Sequence, residues 1–379
     1  MTIELKLLLI FVSKHHFHQY WDVLMKRNKP DKGFVLLEVM LLGSSITHLM
    51  KSGAGVREDR YYSKLSEFLK VKLFQYFPSE TVDRNSGSRP FKNKWVHSTI
   101  GVLRNLKDYK SESIDIVRSK QLYGSWTGWL LSIVLQKPHV LRCGYIWSRS
   151  FSMERKINGL LHWLVEKVEI FILKRADSYI FCSKDIEKFY KPYIGAKPYI
   201  VLPNYVDESH FYPEPSVDKV DQFLYLGRFI ELKGAGEAAS FVNQLGLSHG
   251  STFIGQGPMS DKIQASGIRI ISSIPNDKLR ELMSSHRFFL SFSKTEGSPK
   301  ALLEAVFCGL VPILSDIPVH REIIQKLGYG LIINETIDFK SDSPECNVNY
   351  DNLSSFMYEF SLDNHIAAEI KFLQQCANR

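Results

Sequence analysis

The sequence predicts an α/β fold in two domains, and three observations carry that expectation. At 379 residues the chain is more than twice the roughly 150 of a usual domain. Its composition, 44% hydrophobic and 23% charged, is that of a globular chain able to bury two cores. Between Phe288 and Asn334 the pattern reads apolar run, glycine turn, short helix, apolar run, which is the βαβ rhythm of a parallel sheet.

That stretch organises the rest. Phe288–Ser293 is β-like, and Leu310–Ser315 is a second apolar run. Between them Ser298 suits an N-cap, Pro299 the first helical position and Gly309 the position just past the helix end. The turn Glu296-Gly297-Ser298-Pro299 then aims a helix N-terminus, a place that can hold an anion, above the strand ends. Glu304 is the single charge on the helix A-L-L-E-A-V-F-C, and seven residues separate it from Glu296. A lone helix charge is more commonly paired with a neighbour. A carboxylate pair also suits vicinal hydroxyls, because two acceptor oxygens match two adjacent donors.

A second pattern lies upstream. Gln222–Leu226 reads as a strand ending in Gly227-Arg228, and Lys233-Gly234 follows five residues after the arginine. Two cations beside a glycine turn suit a diphosphate; alone they would read as surface charge. Phe253-Ile254 leads into Gly255-Gln256-Gly257-Pro258, a weak turn signal without the full dinucleotide fingerprint.

The segment E-G-S-P-K-A-L-L-E-A-V-F-C-G resembles the E-x7-E segment of the retaining nucleotide-sugar glycosyltransferases of family 4. G-R-x-x-x-x-K-G at Gly227–Gly234 resembles the same family, as does Pro203-Asn204-Tyr205-Val206-Asp207 with Phe211, its link between domains. The resemblance implies a GT-B fold: two Rossmann-like domains facing across a cleft. It implies that Glu296 contacts the donor sugar and Glu304 the ribose, and that Arg228 and Lys233 grip the diphosphate. Gly297, Ser298, Pro299, Gly227, Gly255 and Gly257 would complete the donor site, and the base would sit near Ile274. The likeness is specific over about 200–335 and diffuse over 1–150. Many relatives have a glycine-rich turn after the first strand and a histidine at the turn that here holds Arg142-Cys143-Gly144; neither carries over. Ala176-Asp177…Ser183 resembles a family strand, with Asp177 structural.

The expected domains are 1–200 for the acceptor, 201–345 for the donor, and a helical tail, 346–379, that can cross back to the first domain. In the first domain Leu7–Val12 reads as a strand, followed by His15, His16 and His18, whose spacing matches no standard metal set. Gly33–Leu42 is a buried strand or the start of a helix, and Ser44–Ser52 a helix. Arg60–Phe77, where aromatics interleave with Lys64, Lys70 and Lys72, reads as one amphipathic helix. It would pack on its own sheet; the alternative is an anionic membrane surface. Glu80–Lys94 reads as a loop, Ser113–Ser119 as a strand, Gly124–Leu135 as a helix, Pro138–Gly144 as a strand and Met153–Arg175 as one long helix.

The net charge of +8 favours an anionic partner: a phosphate-bearing substrate or a membrane surface, with nucleic acid weakest because no finger or RNP pattern occurs. Five scattered cysteines without a C-x-x-C pair suggest a reducing compartment rather than disulfides or zinc. No targeting or spanning segment is convincing, so the expected place is the cytoplasm or the cytoplasmic face of a membrane. Together these readings imply a metal-independent hexosyltransferase-type enzyme with no resident cofactor and a nucleotide-sugar donor. Its acceptor would be a glycan or lipid-linked hydroxyl in polysaccharide, lipopolysaccharide or glycolipid synthesis. Two alternatives stand beside it: an inert nucleotide-sugar binding module and a membrane-associated assembly protein. A phosphorylase would need a pyridoxal lysine site, which the sequence does not offer.

Overall fold

A computed structural model describes residues 33–42, 44, 55–76, 94–104, 106–214, 219–333 and 339–379. The strand at Leu7–Val12, the three histidines after it, most of the Ser44–Ser52 helix and nearly all of the Glu80–Lys94 loop lie outside them. The described chain divides into two compact units, 33–203 with His365–Arg379, and Asn204–Asn364.

The first unit is a six-stranded, all-parallel sheet. Its strands are β1 (Val35–Val39), β2 (Lys70–Phe74), β3 (Ile116–Ser119), β4 (His139–Cys143), β5 (Ser178–Phe181) and β6 (Tyr199–Val201). The order is β2-β1-β3-β4-β5-β6, with Leu36 opposite both Val71 and Ile116. Helices cover such a sheet on both faces, so its central strands are apolar almost throughout, as Val35–Val39 is. That resolves the ambiguity at Gly33–Leu42 in favour of a strand.

Two sequence expectations are corrected here. Arg60–Phe77 is not one helix: the helix runs Gly55–Ser66, and Lys70-Val71-Lys72-Leu73-Phe74 is β2. Alternation with period 2 outweighs the helical spacing there. Lys70 and Lys72 both pair with Glu112, at 2.6 and 2.9 Å. Met153–Arg175 is likewise two helices, Trp147–Arg155 and Gly159–Leu173, broken where Lys156 and Gly159 both take positive φ, +53° and +57°. Asp177 is structural: its carboxylate accepts the His139 amide at 2.8 Å.

The second unit is another six-stranded parallel sheet. It comprises β7 (Val220–Leu226), β8 (Thr252–Ile254), β9 (Arg269–Ile271), β10 (His286–Ser291), β11 (Val311–Ser315) and β12 (Leu331–Ile333), in the order β12-β11-β10-β7-β8-β9. Phenylalanines fill its core: Phe223 stacks on Phe288 at 5.2 Å, and Tyr225 on Phe253 at 5.0 Å. The unit runs past 345. Helix Tyr350–Glu359 buries Leu353 and Phe356 in this core, so residues 346–364 belong here rather than to a separate tail. Only His365–Arg379, most of helix Leu362–Ala377, groups with the first unit.

Buried charge holds that last segment. Arg118 on β3 ion-pairs with Glu38 on β1 and with Glu369, and the Tyr61 hydroxyl donates to Glu369. All three charged groups are about 98% or more removed from water. Arg142 lies in electrostatic range of Cys182 and of Glu369 as well. Burial alone would push the Glu369 carboxyl up; Arg118 with His365, Tyr61 and Arg142 outweighs it and brings the pKa down to about 2. Losing one partner of a buried ion pair leaves the other charge stranded, a cost of about 3–5 kcal/mol. Glu369→Ala should therefore lower the urea-unfolding free energy by that order. A loss under about 1 kcal/mol, within the range of exposed pairs, would show that the cluster does not hold the segment.

Candidate functional site

In the second sheet the chain goes outward from β7 to β8 and β9, then crosses back to lay β10 on the other side of β7. Strand order reverses between β7 and β10. Two parallel neighbours whose outgoing loops diverge leave a crevice at their carboxyl ends, the usual ligand position in open α/β sheets. A pocket of about 200 Å³ lies there, lined by Gly227 and Lys233 from the loop after β7 and by Ser293, Glu296, Ser298 and Pro299 from the loop after β10. Its floor includes Tyr225, Phe289 and Ser291.

Local chemistry fixes both loops. After β7 the chain turns through Arg228–Ile230 into a 3₁₀ turn, Glu231–Lys233. The Tyr225 hydroxyl donates to the carbonyls of Arg228 and Lys233, at 3.2 and 3.1 Å, tying the two ends of the turn together. Gly234 closes it at φ +63°, where a Cβ would stand 1.9 Å from the Phe292 carbonyl oxygen. Only glycine lets the two loops approach this closely. Gly255 and Gly257 act the same way: added Cβ atoms would meet the Gly227 and Phe229 carbonyl oxygens at 1.9 and 2.5 Å. Their role here is close backbone packing beneath the first loop, and neither lines the pocket.

The charged groups meet in the pocket. Lys233 Nζ lies 2.5 Å from Glu296 Oε1, which also accepts the Ser293 hydroxyl at 2.8 Å. Residues 63 apart in sequence thus share one hydrogen-bonded cluster. Helix Lys300–Phe307 starts at the pocket edge, and Lys300, Ala301 and Leu302 of its first turn line it. First-turn amides have no acceptor within their own helix, so positive potential faces the pocket. Glu304 is only 3% exposed and sits three residues on from Ala301. Side-chain bonds of a helix tilt toward its N-terminus, here toward the pocket, although Glu304 itself is not on the pocket wall.

The helix cap differs from the sequence reading. Pro299, not Ser298, caps the helix, because Ser298 is bonded elsewhere: its hydroxyl accepts the Asn204 amide at 2.9 Å and its carbonyl the Asn204 side-chain amide at 2.6 Å. The interdomain link is thereby pinned to the turn. Gly309, at φ +74°, does end the helix as expected. Arg228 is exposed on the loop and is not among the pocket-lining residues. Gly297 is buried in the turn, and Ile274 packs against the core beyond β9.

Sequence reasoning missed three contributors. Tyr225 was read only as part of a strand. Lys300 brings a second cation to the pocket and lies 5.4 Å from the Tyr205 ring; its position at the helix start was the available signal. His320 is fully buried behind the pocket floor. Its Nδ1 donates to the Ser315 carbonyl at 2.9 Å, its Nε2 faces the Ser291 hydroxyl at 3.3 Å, and the Ser315 hydroxyl donates to the Ser293 carbonyl at 2.7 Å. Burial pulls the His320 pKa down to about 4, against the smaller upward pull of the Ser315 hydrogen bond and Glu296. Among the described residues no group of three His, Cys, Asp or Glu is placed to hold a metal ion.

The family comparison falls on this unit. Residues 207–341 match the family described as glycosyl transferases group 1. The chain is similar to a GDP-mannose:cellobiosyl-diphosphopolyprenol alpha-mannosyltransferase from Xanthomonas oryzae pv. oryzae, 29% identical over 152 residues, which are 35% of this chain and 39% of that protein. The match thus spans about two fifths of that relative. In fold the chain is similar to a glycosyltransferase from Rickettsia africae, with TM-score 0.68 and 13% identity over 90% of this chain and 98% of the other. It is also similar to Anabaena HepE in complex with UDP and glucose, with TM-score 0.56 and 14% identity over 90% and 98%. The fold is therefore that of the two-domain GT-B glycosyltransferases. The segment 207–341, which matches the group 1 glycosyl transferase family, contains the whole pocket-lining cluster apart from its anchor at Asn204.

A neutral buried histidine makes stability pH-dependent. Above pH 6.5 neither state of His320 binds a proton. Between pH 6.5 and 4 the unfolded chain takes one up and the native site does not, so stability is lost as pH falls through that window. The depression amounts to about 3 kcal/mol at most. Wild type and His320→Gln, unfolded in urea at pH 7 and pH 4, should differ, with the variant losing less stability on acidification. Equal losses would mean that His320 is not held neutral behind the pocket.

Proposed function

We propose that this chain is a retaining glycosyltransferase that moves a sugar from a nucleoside diphosphate donor to a hydroxyl acceptor. The observation that carries the reading is the Lys233–Glu296 pair, 2.5 Å apart in a pocket at the sheet's reversal point and beside a helix start. One cation, one positive helix end and one carboxylate together suit a diphosphate with a sugar attached.

Lys233 and the first-turn amides near Ala301 would receive the diphosphate, with Arg228 joining from the loop. Glu296 would turn its carboxylate to the sugar hydroxyls, and Glu304 would accept from the ribose. Charge develops on the leaving diphosphate as the anomeric carbon–oxygen bond breaks, and these preset positive groups stabilise it. The acceptor oxygen bonds to the same face of the anomeric carbon, and its proton passes to the departing phosphate. No protein base, metal or resident cofactor enters that scheme.

The relative from Xanthomonas carries GDP-mannose and a diphosphopolyprenol in its name, and the Anabaena structure holds UDP. They support a nucleotide-sugar donor and a glycan or lipid-linked acceptor, in polysaccharide or glycolipid synthesis at the cytoplasmic face of a membrane. Among the described residues no helix is long and apolar enough to cross a membrane.

Transfer from a panel of nucleotide sugars to lipid-linked and soluble acceptors tests the reading. Lys233→Ala and Glu304→Ala should each lower turnover by roughly 100-fold or more, the scale of losing one charge-stabilising group, while circular dichroism is unchanged. Normal turnover in either variant would reject the site assignment. Donor binding without transfer to any acceptor would favour an inert binding module.

A further inference from the structure

The helix Gly159–Leu173 of the first unit is built inside out. Its one buried carboxylate, Glu169, faces the protein and accepts the Trp147 and Ser148 amides, at 2.6 and 3.1 Å, and the Tyr190 hydroxyl. Ile170 and Leu173 are buried beside it, while Leu160, Leu161 and Leu164 face water. Leu160, Leu164, Val168 and Phe171 fall at i, i+4, i+8 and i+11, one continuous stripe, and are 72, 45, 48 and 58% exposed. Leu161 and Trp163 flank the stripe, each about half exposed. A stripe of this kind is what a helix normally buries against its own domain. Contiguous exposed apolar surface of this sort marks an interaction site.

Charge says which partner fits. Arg155, Lys156, Lys167, Lys174 and Arg175 border the stripe, all exposed. Lys167 lies over the Trp163 ring at 5.5 Å, and Arg175 lies over Phe171 at 4.4 Å and Trp129 at 5.1 Å. Their charged heads thus lie over aromatic rings of the exposed apolar surface. The acidic residues nearby are Glu154 and Asp177, both exposed, and Glu166, which is half-buried 4.0 Å from His162. A second copy docked through a two-fold contact would set these same cations against one another. An anionic surface with an apolar interior satisfies both the stripe and its border.

We infer that the outward face of Gly159–Leu173 docks on an anionic lipid bilayer, lying in the interface rather than crossing it. Helices of this kind bury the apolar face about 5–10 Å into the headgroup boundary, and flanking lysines and arginines add attraction to acidic lipids. This surface is separate from Arg60–Phe77, for which a membrane surface is only the alternative reading. It does not depend on the donor site.

Flotation of the full chain with equimolar phosphatidylglycerol–phosphatidylcholine vesicles, and with phosphatidylcholine alone, tests the inference. The wild type should float with the anionic vesicles and be released by high salt, and vesicles should shift its tryptophan emission to the blue. Leu164→Glu/Phe171→Glu and Lys167→Glu/Lys174→Glu should each lower partitioning by roughly tenfold or more, with circular dichroism and nucleotide binding intact. Trp163→Phe should lose most of the emission shift. Absence of wild-type flotation, or undiminished flotation of the Leu164/Phe171 variant, would overturn the proposal. So would a wild-type dimer in light scattering that this same variant dissolves while flotation persists.

Discussion

The constraint on which the candidate site depends is the adjacency of β7 and β10. Parallel strands cannot be joined by tight turns, so each must be followed by a loop and a crossover. Where the order reverses, two loops from distant parts of the chain open side by side. Here one delivers an ammonium and the other a carboxylate, and the two meet at 2.5 Å. Gly234 against Phe292, and Gly255 and Gly257 packed beneath the loop after β7, are the close approaches that make this meeting geometrically allowed.

Polar bonds then hold the loops where packing has brought them. Tyr225 ties the first loop at both ends, and Asn204 ties the second to the interdomain link. Behind the floor, His320 and Ser315 anchor the strand ends that carry Ser291 and Ser293. None of these supporting residues is charged in the pocket's working state, so the field there is set by Lys233, Lys300, Glu296 and the helix start. The first unit uses charge differently. It buries Arg118 between two carboxylates to fix its sheet and terminal helix, and leaves an apolar helix face outside.

What could be read in the sequence was what is local. Glycine, proline and charge at fixed spacings marked both pocket loops, and apolar runs marked most strands of both sheets. Long-range pairing could not be read, because nothing near Tyr225 or His320 announces a partner in another loop. Ser298 looked like a cap because its local pattern permits it, and a bond to Asn204, 94 residues away, claims its hydroxyl. Arg60–Phe77 misled for a related reason. Its apolar residues satisfy helical spacing over the whole span, and only pairing with Val35–Val39 turns the second half into a strand. The outward stripe on Gly159–Leu173 could not be told from a core-facing one, since periodicity shows that a helix has a face and not where it points.

The central claim is that the meeting of these two loops makes a nucleotide-sugar pocket. Saturation-transfer NMR on a mixture of nucleotide sugars, with wild type and Lys233→Ala side by side, tests it most directly. The account predicts that one nucleotide's base and ribose protons are saturated by the wild type and that the signal collapses in the variant. No saturation of any nucleotide by the wild type, or equal saturation by both proteins, would contradict it.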